Sequence, residues 1–493
     1  MRFLFGAVLV MGIAGCSSGD GGGPATMFEA GDPLAVSGAS PFQECELFDD
    51  EDGAPNREVE PWISVNPNDP DHLVAAWIQD KALGLVSAVS FDQGATWEQV
   101  VIPGLSQCSG SDIIASSDPW LAFAANGDLY SVGLSHQIDD SEGPSRIVVN
   151  KSLDGGRTWS DPVTLSESDR PLVEDKPSIT ADPVDECRVY VGWTRFDDLS
   201  TSTSGSEGEV LFSRTIDCGQ TWSEPQSLFR VEPAGLGFQT VVSPDGSVLA
   251  FFKQTQAVLG VPRSFYVMRS EDGGETWPVE PTLIADTRQA IVHPPDEDER
   301  IRSAGALFDV AVDRTTGHLA AVWEQLFTEN FVGEPQVAFS QSNDGGLTWS
   351  EPVRIDQTPS SETALLNQAF VPSVEISDDG TIGITYYNFQ NDTPDAPPSL
   401  TDYWFIHCHP DLADCTDRAS WADPVRVTSE SFDILQASPS RRGLFLGDYM
   451  GLTSFGSDFF TAFAISGPGD EQDIYFAAIR GSDREAGRVG CRV

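Results

Sequence analysis

Acids and amides recur at one place in this chain. Glu60, Asp118, Asp175 (with Lys176 after it), Gln239, Asp309 and Asp448 (with Tyr449 after it) each stand just ahead of a short apolar run. A second set, Asp80, His136, Arg195, Asp197, Glu324 and Asn388, follows the next apolar run. Carboxyl groups gathered at one level can be driven to different pKa values, so that one donates a proton while its neighbour stays ionised. That division of labour suits the cleavage of glycosidic bonds. The catalytic candidates are therefore Asp118 or Asp175 as general acid, with Tyr449 beside Asp448 as nucleophile. Arg195, Arg302 and Arg442 would bind an anionic sugar through paired hydrogen bonds, and Glu60, Gln239 and Asp309 would complete the substrate contacts. Taken singly, each residue also has a structural reading. An acid at a strand start caps backbone amides, an arginine pairs on the surface, and Tyr449 packs at a channel mouth.

No metal or other cofactor is required by this chemistry. A ring of acids would favour Ca²⁺ over zinc, because its ligands would be oxygens. His136, His293, His318, His407 and His409 show no zinc-ligand spacing.

The elements that hold these residues repeat. "SLDGGRTW" carries Asp154 and Trp159, and the same pattern returns as "SFDQGATW" (Asp92, Trp97), "TIDCGQTW" (Asp217, Trp222), "SEDGGETW" (Asp272, Trp277) and "SNDGGLTW" (Asp344, Trp349). A worn copy ends at Trp421. Two apolar runs around a tight Asn/Asp/Pro/Gly turn precede each copy, one run enters it and one leaves it. Four antiparallel strands per unit, repeated along the chain, predict an all-β fold: a single β-propeller of four-stranded blades. Seven blades are expected, with six as the alternative count. The last unit lacks a fourth strand, and "DPLAVSGASP" (Asp32 to Pro41) is expected to supply it and close the ring. Within each box, Ser/Thr and Asp stabilise the turn, Gly takes backbone angles other residues resist, and Trp buries a large ring. The boxes are structural.

Turns between strands one and two are short, as are the boxes between three and four. Long insertions follow strands two and four, including "DTRQAIVHPPDEDERIRSAG" and "SFDILQASPSRRGLFLG". Connections alternate faces, so the long loops share one face, and binding is expected there.

The boxes resemble the Asp-box repeat, S-x-D-x-G-x-T-W, of bacterial neuraminidases. The resemblance runs from about Asp32 to Arg480 and implies an Asp-box propeller of the sialidase superfamily: an exo-acting hydrolase of terminal sialic acids. Similar boxes occur in other secreted glycosidases, polysaccharide lyases and non-enzymatic propellers, so a lyase or a glycan- or protein-binding scaffold is the alternative. Sialidases hold the substrate carboxylate with three arginines, the first in a Phe/Tyr-Arg-Ile-Pro motif near the N-terminus. This chain has no such motif; "NREVEPWI" places Arg57 nearby without matching it. Sialidase propellers also have six blades.

The chain has 76 acids and 28 bases, a formal charge of −48. Such a surface repels phosphate backbones, which excludes nucleic acid as a partner and suits an exported monomer whose ligand is a glycan. At the N-terminus Arg2, the apolar run Phe3 to Ile13 and "AGC" ending at Cys16 resemble a bacterial lipoprotein signal. Residues 1–15 would be removed and Cys16 lipidated, anchoring the protein at the cell envelope or surface. Residues 16–31 then read as a flexible tether and 32–493 as the propeller. No other segment is apolar enough to cross a membrane. Export makes disulfides the expectation: Cys187 with Cys218, Cys408 with Cys415, and Cys45 with Cys108, leaving Cys491 over. Reduced, buried cysteines are the alternative.

Overall fold

The computed structural model describes residues 27–48, 56–137, 143–197, 208–231, 235–254, 263–288, 291–295, 299–303, 305–327, 334–359, 361, 364–393, 397–468 and 472–482. Seven antiparallel sheets form the blades of a propeller, six with four successive strands and the seventh with three and a fourth from the N-terminus. Their innermost strands are Glu58–Asn66, Ala115–Phe123, Leu172–Ala181, Gly235–Val242, Phe308–Val312, Ala369–Ile376 and Gly451–Phe455 for blades 1 to 7.

Blade 7 is completed from the other end of the chain. Met27–Ala30 pairs with Gln472–Ser482 in the register Met27↔Ser482 to Ala30↔Ile479, and Leu34–Ala35 pairs with the same strand further along. Closure by an N-terminal strand is as expected, but the strand starts at Met27, inside the stretch expected to be tether. Its anchor is Phe28, buried against the rings of Phe405, His407 and Phe459. One aromatic residue after a Gly/Ser-rich run is a faint signal.

The boxes form the hairpins between strands three and four. In blade 2, Ser152 Oγ donates to Asp154 Oδ1 (2.9 Å) and accepts from Gly156 N (2.8 Å), while Thr158 donates through its amide (2.8 Å) and hydroxyl (2.7 Å) to the same carboxylate. The other four boxes repeat this set. Each Trp then reaches the preceding blade. Trp97 meets Phe476 of blade 7, Trp277 meets Phe212 of blade 3, and Trp349 meets Phe251 of blade 4. A local turn thus presents an aromatic ring that welds blade to blade. Close inter-blade packing also explains Gly192, where a Cβ would lie 1.8 Å from the Phe238 ring. Gly192→Ala is expected to cost about 1–3 kcal/mol in urea unfolding; an unchanged midpoint would show that blades 3 and 4 pack loosely there.

Disulfides join Cys45 to Cys108, Cys187 to Cys218 and Cys408 to Cys415. Cys16 and Cys491 lie outside the described residues.

Candidate active site

Four inner strands carry the same irregularity. Glu60, Asp118, Lys176 and Val371 each adopt a left-handed backbone (φ +53, +55, +49 and +49°), each precedes a proline, and each sits where the pairing register slips. A non-glycine residue in this region costs about 1–3 kcal/mol and persists only where the surroundings enforce it. Here the bulge re-aims side chains at the axis. In blades 1, 2 and 3 it delivers Glu60, Asp118 and Lys176 to one point.

There Lys176 Nζ lies 2.5 Å from Asp118 Oδ1, 2.9 Å from Asp448 Oδ2 and 3.1 Å from Glu60 Oε1. Arg302 grips Asp448 with two nitrogens, Nε lying 3.0 Å from Oδ1. Asp448 N donates to Glu60 Oε1 (3.1 Å), and Ser117 Oγ donates to Asp118 Oδ2 (2.6 Å). Beneath the cluster Trp62 and Trp120 stack with ring centroids 3.4 Å apart.

Above it opens a pocket of ≈ 470 Å³, bordered by blades 1 to 3 and by the hairpin Ser438–Ser440/Gly443–Phe445. That hairpin belongs to a long insertion and is held by Arg302 N to Leu444 O (2.8 Å) and Leu444 N to Arg300 O (2.7 Å). Its tip carries Arg441 and Arg442. Arg57, Lys81, Arg170, Lys176, Arg302, Arg441 and Arg442 all line the pocket, against four acids, Glu60, Asp118, Glu174 and Asp175. A quarter of the chain's 28 bases therefore border one pocket, in a molecule where acids outnumber bases 76 to 28. Charge inverts locally, the balance that an anionic ligand would favour.

Burial sets the proton affinities. It pushes Glu60 up to about 8, with Lys176 opposing. Burial and then Asp118 push Asp175 up to about 6, with Lys176 and Arg442 opposing. Burial acts upward on Asp448 too, yet Lys176 and Arg302 hold it far below the usual carboxylate range. Burial would lower Lys176, but Asp118, Asp448 and Glu60 keep it well above an ordinary lysine.

Carboxyls raised by burial recur elsewhere: Glu58 to about 9, Glu324 and Glu375 to about 7, Asp309 to about 6. Each keeps, when folded, a proton that the unfolded chain has already released. Their stabilisation is therefore present at low pH and lost as pH rises, so unfolding free energy should fall from about pH 5 towards pH 8. Lys253, lowered to about 7 by burial, opposes this trend only above that pH. Box aspartates such as Asp217, held low by Thr221, lose their contribution as pH falls below about 4. Urea midpoints should peak near pH 5; a steady rise from pH 5 to 8 would contradict these assignments.

Not every expected site residue arrives. Asp118, Asp175, Glu60, Arg302 and Arg442 line the pocket, with Asp448 directly beneath as their counter-ion. Arg195 does not: its guanidinium is taken by Glu174 (2.6 Å) and Ser166 (2.8 Å). Gln239 and Asp309 bond to each other (2.8 Å), and Asp309 also accepts from Val374 N (2.8 Å), which ties blades 4, 5 and 6 together away from the pocket. Tyr449 does not line this pocket. Its hydroxyl donates to Pro119 O (3.0 Å) and its ring packs edge-on to Trp62 and Trp120. Burial followed by the surrounding carboxylates pushes its pKa well up, which is the reverse of nucleophile activation. Arg57, Lys81, Arg170 and Arg441 are pocket cations that the strand-start pattern does not single out. Among the described residues no group of three or more His, Cys, Asp or Glu side chains is placed to hold a metal ion.

No protein-family model and no curated protein matches this chain. Among solved structures it is similar to a protein of unknown function from Dyadobacter fermentans DSM 18053 (13% identity, TM-score 0.48, 92% of this chain and 99% of that one). It is also similar to a Hadza microbial sialidase (16%, 0.46, 85% and 75%). A third is an α-L-arabinofuranosidase from Fusarium graminearum in complex with an iminosugar inhibitor (11%, 0.47, 92% and 98%). At such identities the chain's chemistry has to be argued from its own residues.

Proposed function

We propose that this propeller is a glycoside hydrolase acting on saccharides that carry a carboxylate, a sialoside being the first candidate. One observation carries the reading: seven bases border a ≈ 470 Å³ pocket of an acidic protein, with a protonatable Asp175 among them. Arg441 and Arg442 meet the carboxylate as the sugar enters, through paired hydrogen bonds. Asp175 gives its proton to the leaving oxygen as the glycosidic C–O bond breaks. A water oxygen bonds to the anomeric carbon, and Asp118, beside the Lys176 ammonium, takes the water's proton. Tyr449 has no part in this scheme.

A second reading rests on His136, which also lines the pocket. Its Nδ1 lies 2.9 Å from Gln137 O. A carbonyl only accepts, so Nδ1 carries the hydrogen and Nε2 keeps a lone pair. For a uronate polymer, Nε2 would remove the proton beside the carboxylate, the C–O bond at the neighbouring carbon would break, and Asp175 would protonate the leaving oxygen.

The full chain, incubated with a fluorogenic sialoside and separately with a polyuronate, tests both. Fluorophore release supports hydrolysis; ultraviolet absorbance of an unsaturated uronate supports elimination. Neither product, with saturable binding of the acidic sugars, would leave a binding scaffold and overturn the enzyme.

A further inference from the structure

Large apolar side chains left in water are unevenly placed on this molecule. Phe91, Leu153, Ile216, Val279, Leu347 and Leu412 are between 39% and 84% exposed. They come one from each of blades 1 to 6, in or beside the hairpin between strands three and four. Connections alternate faces in a propeller, so all six lie on the face opposite the pocket. Blade 7 adds Met27, 45% exposed. Met27 pairs with Ser482, the last residue of its blade's third strand, so it too sits on that face. Val184, 84% exposed in the turn between strands one and two of blade 3, lies on the same face. Every blade thus contributes at least one apolar residue to a ring, whereas scattered exposed apolar residues would need no explanation.

The N-terminal segment leaves from this ring. Cys16 precedes Met27 by eleven residues, a reach of about 40 Å fully extended and about 18 Å for a relaxed Gly/Ser-rich chain. Blade strands of nine residues, such as Glu58–Asn66, stand about 30 Å tall. A relaxed chain of that reach is shorter than a blade is tall, so an anchor at Cys16 favours the ring, rather than the pocket face, lying next to the bilayer.

We infer that the box face rests on the lipid surface to which Cys16 is anchored, its ring of apolar side chains entering the headgroup layer and the pocket facing away. The inference rests on the reading of Cys16 as the lipidated residue and is independent of the reaction at the pocket. The formal charge of −48 repels anionic lipid, so the surface is zwitterionic and contact rests on the apolar side chains rather than on charge. This is the reverse of a basic peripheral protein. The orientation holds the pocket towards polymers approaching from outside.

The test is hydrogen exchange of the full, processed chain in vesicles of phosphatidylcholine and phosphatidylethanolamine, against the Cys16→Ala chain free in solution. The hairpins around Leu153, Ile216 and Leu347 should exchange at least about tenfold more slowly on vesicles, with the Ser438–Phe445 hairpin unchanged. Leu153→Ser/Ile216→Ser/Leu347→Ser in the anchored chain should abolish that protection. Leu283→Ser/Phe327→Ser, placed off the ring, should keep it. Equal exchange in both settings, protection of the pocket-side hairpin instead, or a chain that carries no lipid would each overturn the inference. Protection already present without vesicles would assign the ring to a second copy, and would overturn it as well.

Discussion

Asp175→Asn should lower turnover by about 10²–10⁴-fold while leaving the fold and the affinity for the acidic sugar nearly intact. The amide preserves the acceptor that takes the Lys176 N hydrogen bond at 2.9 Å and removes only the transferable proton. The pH profile adds a signature that a structural role would not give. Asp175 is pushed up to about 6 by burial and by Asp118, so the wild-type rate should fall as pH rises past that value and the acid loses its proton. In Asp175→Asn the residual rate should lack that limb. Wild-type turnover with an unchanged profile would remove Asp175 from the chemistry.

Lys176→Met is the second large effect, and it concerns stability. Lys176 is the hub that touches Asp118, Asp448 and Glu60 within 3.1 Å, in a place only 7% exposed. Methionine fills the volume but leaves three carboxylates facing each other, with Arg302 as the nearest remaining counter-charge. Removing one partner of a buried charge set costs about 3–5 kcal/mol, a large share of a domain's stability. The sign of its pH dependence follows. Without the lysine Glu60, already pushed up by burial, is pushed higher and Asp448 loses a charge that holds it down, so the folded state binds more protons than the unfolded one up to a higher pH. The loss should therefore be greatest near pH 8 and smaller near pH 5 in urea unfolding. A small or pH-independent loss would mean that solvent, not Lys176, compensates the cluster.

Legibility in the sequence followed the physics of repetition. Each box states its own turn: Ser/Thr, Asp, Gly and Thr are the groups that bond within it, and Trp marks the blade contact. Strand count, blade order and closure from the N-terminus follow from that spacing. Repetition also hid the site, because a sevenfold pattern gives every strand start equal standing. Gln239 and Asp309 fit the pattern as well as Asp118 does, yet they bond to each other. What breaks the symmetry is an unrepeated insertion whose hairpin borders the pocket together with blades 1 to 3. Its target cannot be read from one chain without the fold. The place of Tyr449 was hidden for a related reason: adjacency to Asp448 says nothing of whether a hydroxyl meets the pocket or Pro119 O. One usable signal lay in plain view. Glu60, Asp118 and Lys176 are each followed by proline, which cannot donate to a strand ladder and inside an inner strand marks a bulge.

The most direct measurement is a calorimetric titration of the full chain with an acidic sugar and, separately, with its methyl ester. A pocket bordered by seven bases should bind the acid at least about tenfold more tightly, as charge-assisted hydrogen bonds are worth about 1.5–3 kcal/mol. Arg442→Ala should erase most of that difference. Equal affinities for acid and ester, or a preference that survives Arg442→Ala unchanged, would contradict the claim that this pocket receives a carboxylate.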